Sequence, residues 1–184
     1  MAFIEDGQGS GNKAGVTSEN MIKTLAITQS MEHHVNVEEG RAYHLPFVYA
    51  STGTGDSTGS CFLYIKNSDE KDMVIEGFSY ATTGVIQVVK GVSGTPGGGA
   101  AIVPSNVNFG SGRLADGTFY GSTKITGLTK GTVVDRVYCN SANESKNFNF
   151  ELDVVLPKNS VLCLYTTGID KATYRGTFNF IFHD

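Results

Sequence analysis

The chain has no Trp, only 4 Pro and 3 Cys among 184 residues, and only 17% of it is charged. Sugar-binding sites commonly stack a ring on Trp, and that platform is missing. Few Pro and few charges, set against 40% apolar residues, argue against a disordered chain. Cys61, Cys139 and Cys163 lie far apart with no CxxC pair, so they read as reduced, buried small hydrophobes and not as disulfide partners or metal ligands. No apolar run approaches the roughly 20 residues of a membrane-spanning helix; stretches such as Ser160 to Tyr165 are strand-sized. The N-terminus has neither a basic n-region nor a hydrophobic h-region, so a secretory signal is not expected and synthesis in a cytoplasm is. Asn143-Glu144-Ser145 fits the glycosylation pattern, but it is idle without such a signal. The net charge, 14 − 18 = −4, supplies no clustered cations to neutralise phosphates, and nucleic acid is not an expected partner.

What the chain does have is 23 Gly, 11 Phe and 8 Tyr. The Gly residues show no Gly-X-Y period, which excludes collagen. They form two populations. Gly7, Gly9, Gly11 and Gly15 sit in a stretch with almost nothing to bury, which reads as an extended N-terminal arm over 1–20, either a flexible terminus or a tether that orders when a neighbouring protein surface holds it. The others, among them Gly53, Gly55, Gly97, Gly98 and Gly99, mark turns between short strands of a β domain over 21–184.

Period two is the recurrent signal in that domain. Tyr174, Gly176, Phe178, Phe180 and Phe182 share one face, and Arg175, Thr177, Asn179, Ile181 and His183 the other. Phe148, Phe150, Leu152 and Val154 repeat the pattern. The turn Leu156-Pro157-Lys158-Asn159 then leads into Val161 to Tyr165 as a hairpin, since Pro ends a ladder and Asn tolerates the turn. Further strands are expected over 21–28, 32–37, 42–50, 61–66, 73–80, 85–90, 101–103, 124–128 and 133–139. Between them lie the breaker clusters Thr52 to Asp56, Asn67 to Asp72 and Gly94 to Gly99. No window keeps an i, i+3, i+4 pattern. The expected fold is all-β, an antiparallel β-sandwich of jelly-roll-like type, with a closed barrel as second choice.

No catalytic constellation emerges. His33 and His34 are strand neighbours pointing to opposite faces, His44 lies ten residues on, and surface imidazoles are the simpler reading than a metal site or a general base. Asp69, Glu70 and Asp72 lack the EF-hand spacing and enclose Lys71, which suits a solvated hairpin turn. The Gly-rich runs do not link a strand to a helix and there is no GxxxxGK[ST], so no nucleotide cofactor is expected. Gly110-Ser111-Gly112 lacks the frame of a nucleophile elbow. The expectation is a chain that is not an enzyme, with no metal and no cofactor.

Four blocks, in order, carry a family resemblance. Phe3 to Met21 is similar to an arm of the form IxDGxGSGNxAxV leading to a first strand. Tyr64 to Ile75 resembles YLKNxEDRDLVI, Asn106 to Leu114 resembles NxNFGSSxxL, and Val155 to Leu164 resembles VLPKGSSIGI. Lys71, Asn159 and Gly15 stand where Arg, Gly and Lys are common. Together these blocks resemble tailed-bacteriophage virion structural proteins of the capsid decoration, cement or head-fibre type. The resemblance implies a non-enzymatic protein on the capsid surface, made in the host cytoplasm. Its partners would be the major capsid protein or another virion protein and its own copies, with a trimer expected. Contacts are expected at Phe3, Ile4, Asn12 and Lys13, and at Met21 and Ile22 where arm meets domain. The rival reading is a head-fibre or tail component binding carbohydrate or a host surface. Phe119 and Tyr120, flanked by Gly117 and Gly121, are its exposed aromatic candidates.

Overall fold

The computed structural model describes residues 3–5, 13–16, 22–23, 39–52, 59–138, 141–167 and 171–183. The chain divides into two units, Met1–Glu32 and His33–Asp184, later than the boundary near residue 20 read from composition. In the first unit the backbone pairs. β1 (Phe3–Glu5), β2 (Lys13–Val16) and β3 (Ile22–Lys23) form a three-stranded antiparallel sheet, with Ile4 opposite Ala14 and Val16 opposite Ile22. The strand expected over 32–37 lies outside the described residues, as does all of 21–28 except Ile22 and Lys23.

The second unit is an antiparallel β-sandwich. It is built from β4 (Ala42–Ala50), β5 (Cys61–Asn67), β6 (Asp72–Thr82), β7 (Val85–Lys90), β8 (Ser93–Gly97), β9 (Ala100–Ala101), β10 (Ser105–Asn106), β11 (Gly117–Gly121), β12 (Thr126–Thr129), β13 (Thr132–Tyr138), β14 (Ser141–Leu156), β15 (Val161–Thr166) and β16 (Thr173–His183). One sheet has the order β10-β4-β16-β6-β14 and the other β13-β7-β15-β5-β11-β9; β12 and β8 form a separate ribbon. Two open sheets face each other, and the closed barrel is not found among the described residues.

Alternation makes the interior. Along β4, Tyr43, Leu45, Phe47 and Tyr49 are buried while His44, Pro46, Val48 and Ala50 are exposed; along β16, Tyr174, Phe178, Phe180 and Phe182 are buried. Rings from the two sheets meet: Phe62 of β5 lies 5.0 Å from Tyr174 and 5.5 Å from Tyr49, and Phe119 of β11 stacks on Phe180 at 5.7 Å. Each such pair contributes about 0.5–1.5 kcal/mol beyond the burial of its area. Phe148 and Phe150 of β14 pack against Phe78 at 5.3 and 6.5 Å, as their alternation required, while the side chain of Leu152 is outside the described set. Gly176 sits where β16 runs between β4 and β6, and a Cβ there would lie 2.0 Å from the Ser79 carbonyl oxygen.

Two expected hairpins are crossovers instead. β14 is the edge of one sheet and β15 lies inside the other, so Pro157–Ser160 carries the chain between layers; Asn67–Asp72 does the same between β5 and β6. Period two sets which face is buried but says nothing about which strand is the partner. Asn67 pins both crossovers. Fully buried, it donates from Nδ2 to the carbonyls of Lys71 and Leu156, both at 2.8 Å, and its side-chain oxygen accepts from the Asp69 N–H at 2.9 Å. Its backbone N–H donates to Ser160 O and its carbonyl accepts from Asn159 N–H. Asn159 turns with φ 66°, a left-handed conformation that Asn tolerates. Glu70 and Lys158 pair across the outside of the same corner.

The expected breaker cluster at Gly94 to Gly99 contains a strand. Ser93–Gly97 pairs with β12 through an irregular register, with Gly94 and Gly127 at positive φ and in close approach. That ribbon and its flanks bury a second, smaller apolar cluster on the outer face of the six-stranded sheet, where Cys61, Tyr64, Val89, Cys163 and Tyr165 meet Ile125 and Val92. Cys61 and Cys163 are free and buried, as read from the sequence; Cys139 lies outside the described residues. Burial, reinforced by the neighbouring Cys61 thiol, pushes the Cys163 thiol far up, so it stays protonated.

Candidate functional site

The connection between β9 and β11 is closed by short polar hydrogen bonds and leaves three large apolar side chains in water, while Pro104 is buried and Ile102 and Ala115 pack against the core. Asn106 donates to Gly40 O at 2.6 Å and to Arg113 O at 3.3 Å, and its side-chain oxygen accepts from the Asn108 N–H at 2.9 Å. Asn108 in turn accepts from Gly110 N–H, Ser111 N–H donates to Asn108 O, and Arg113 Nη1 donates to Glu39 O at 3.0 Å. Asn and Ser closing short rings onto nearby backbone amides make a self-supporting turn. Val103, Phe109 and Leu114 take no part in those bonds.

Those residues are large and in water. Phe109 is 96% exposed, Leu114 78% and Val103 73%. Leaving side chains of this size exposed forgoes about 1.5–3 kcal/mol each relative to full burial. Val103 and Leu114, but not Phe109, line an open cleft of about 250 Å³ together with Ile102, Pro104, Ala115 and Tyr120, among others. A protruding ring and an apolar hollow thus occur on one connection. It runs along the edge of the sandwich where β10 ends one sheet and β9 ends the other.

Four of the six expected partner contacts fall in the three-stranded sheet of the first unit. Phe3 and Ile4 fall in β1, Lys13 in β2 and Ile22 in β3, while Asn12 and Met21 lie outside the described residues. Phe119 is not an exposed aromatic: successive residues of β11 point to opposite faces, and Phe119 is the one turned into the core, stacked on Phe180. Tyr120 faces outward, half-buried, its ring 6.2 Å from Tyr64. His44 is exposed on the outer face of β4; His33 and His34 are outside the described residues. Among the described residues no group of three or more His, Cys, Asp or Glu is placed to hold a metal ion, and no helix is long and apolar enough to cross a membrane. The sequence signal for the β9–β11 connection was the Asn106 to Leu114 block itself, which carries an unalternated Phe and Leu among Asn, Gly and Ser.

The class so defined is an all-β sandwich with an apolar connection displayed at one edge. No family model, curated protein or solved structure matches the chain.

Proposed function

We propose that this chain is a non-enzymatic structural protein of a tailed-bacteriophage virion, a decoration or cement protein that binds and stabilises the capsid shell and works as a homo-oligomer, with a trimer as the expected form. The observation that carries this reading is the exposed Phe109, Leu114 and Val103 beside an apolar hollow. Large apolar side chains left in water, two of them lining a hollow, mark a surface for another protein. The same connection is formed by the block Asn106 to Leu114, one of the four that resemble phage virion proteins. A ring that fits a hollow on an identical neighbour lets one contact repeat around a symmetric assembly, and on a shell many weak contacts add by avidity.

Strand order supports the finer fold as well. We read β4-β16-β6-β14 facing β13-β7-β15-β5 as a jelly roll, because each crossover between consecutive strands other than β7 to β13 changes sheets. Phe3, Ile4, Asn12, Lys13, Met21 and Ile22 are the proposed shell contacts of the N-terminal unit. Purified chain mixed with undecorated shells tests the reading. The expected outcome is saturable binding that is reduced at least tenfold by Phe109→Ser with Leu114→Ser and by removal of residues 1–20. Equal binding by the truncated chain sinks the N-terminal contacts; equal binding by the double variant sinks the apolar connection. The carbohydrate-binding fibre reading rests on Tyr120, at the rim of the cleft. Glycan-array binding abolished by Tyr120→Ala would promote it.

A further inference from the structure

The connection between β9 and β11 carries a knob and a hollow that do not meet within one chain. The knob is built by a turn: Ser111 N–H donates to Asn108 O, which places Phe109 and Gly110 at the centre, and Asn108 Oδ1 accepts the Gly110 N–H at 3.0 Å. Asn106 fastens that turn to the sandwich, since its side-chain oxygen accepts from Asn108 N–H and its Nδ2 donates to Gly40 O. The backbone under Phe109 is therefore held while its ring is 96% exposed. A knob ordered in advance loses little freedom when a partner takes it.

The hollow has Val103 and Leu114 at its rim and the buried Phe119 among its lining. Its volume, about 250 Å³, is the space of about eight waters at about 30 Å³ each, which admits one aromatic ring. None of the residues lining it is charged. The cleft under the Lys124–Lys130 segment carries Lys124 and Lys130, and the one beside Tyr43 carries Arg41, Lys71, Asp69 and Arg113. The turn from Asn108 to Gly112 is uncharged as well, so of these three clefts only the Val103–Leu114 hollow matches it. Copies of net charge −4 repel one another, and a meeting of two uncharged patches buries no ion on top of that cost.

Phe109 does not line the hollow of its own chain. Each copy thus offers one knob and one hollow at different places, and two different patches that meet make a heterologous contact, which closes into a ring when the rotation permits. We infer, resting on the homo-oligomer of the virion reading, that the Phe109 ring of one copy seats in the Val103–Leu114 hollow of the next, head to tail, so that each hollow is completed by a second copy of this chain. One ring in one hollow is a small contact, and association is expected at about 10–500 µM.

Sedimentation velocity of the full chain, from a few micromolar to about 1 mM, tests the contact. Phe109→Asp removes the knob, and Val103→Asp with Leu114→Asp charges the rim of the hollow. All three side chains are in water, so both variants should melt as the parent does. The parent is expected to associate beyond a dimer, and each variant alone to associate at least tenfold more weakly. An equimolar mixture of the two should form a dimer and go no further, because only the intact ring of one can pair with the intact hollow of the other. A parent that stays monomeric or stops at a dimer overturns the contact, as does an oligomer that either variant leaves intact, or a mixture that stays monomeric. A parent that fails here yet binds shells sinks this contact alone; one that associates as expected yet leaves shells bare sinks the virion role alone.

Discussion

Replacing Asn67 by Ala removes three side-chain hydrogen bonds at the point where both crossovers meet. The bond to Leu156 O is fully buried, and its loss leaves that carbonyl without its partner, which costs about 1–3 kcal/mol. The bonds to Lys71 O and from Asp69 N–H are part-buried, so water replaces them in part and each contributes about 0.5–1.5 kcal/mol. The sum is about 2–6 kcal/mol, and at roughly 2–4 °C per kcal/mol for a chain of this size the midpoint should fall by at least about 4 °C. Urea unfolding followed by tyrosine fluorescence measures the loss, with an unchanged slope expected because the folded core is the same. Asn67→Asp provides a signed control. Its carboxylate would face two carbonyl oxygens in a buried site and be held above the ordinary carboxylate range. A raised folded-state pKa means stability that is present at low pH and lost as pH rises through it. The aspartate variant should therefore be more stable at pH 4 than at pH 7 relative to the parent. A loss below about 1 kcal/mol in Asn67→Ala, or a pH-independent difference in Asn67→Asp, would refute the view that this residue ties the layers together.

Gly176→Ala places a Cβ 2.0 Å from the Ser79 carbonyl and 2.8 Å from the Phe47 ring, so β16 must shift between both its neighbours; a loss of about 1–3 kcal/mol is expected in the same urea assay. Cys61 and Cys163 should resist N-ethylmaleimide in the folded chain at pH 8 and react after unfolding, read by peptide mass mapping, because both thiols are buried and that of Cys163 is pushed far up. Phe109→Ser should change unfolding free energy by less than about 0.5 kcal/mol, since the side chain is in water, while weakening the proposed self-association in sedimentation velocity runs.

Much of the sandwich is legible in the residues because burial on one face imposes period two. The strands Ala42–Ala50 and Val85–Lys90 match their expected bounds to the residue, and the inward faces of β16 and of Phe148 and Phe150 follow from alternation alone. What alternation does not carry is long-range choice. The turn at Pro157 to Asn159 reads the same whether it returns to its own sheet or crosses to the other, and the crossing chain is fastened by Asn67, 89 residues from Leu156 in sequence. Gly94 to Gly97 reads as a breaker because its pairing depends on a second glycine, Gly127, that admits the close approach. Phe119 and Tyr120 are indistinguishable by flanking glycines, and one step along β11 separates core from surface. The second apolar cluster was not legible at all, since a single bulged residue in β5 turns Cys61 onto the outer face where Ile125 crosses.

The proposed virion role is tested most directly by electron microscopy of undecorated shells of a tailed phage whose genome encodes the chain, after addition of the purified chain. New density at symmetry-related positions on the shell surface, lost with Phe109→Ser and Leu114→Ser, is the expected result. Bare shells at saturating chain, with the chain itself folded and melting normally, would contradict it.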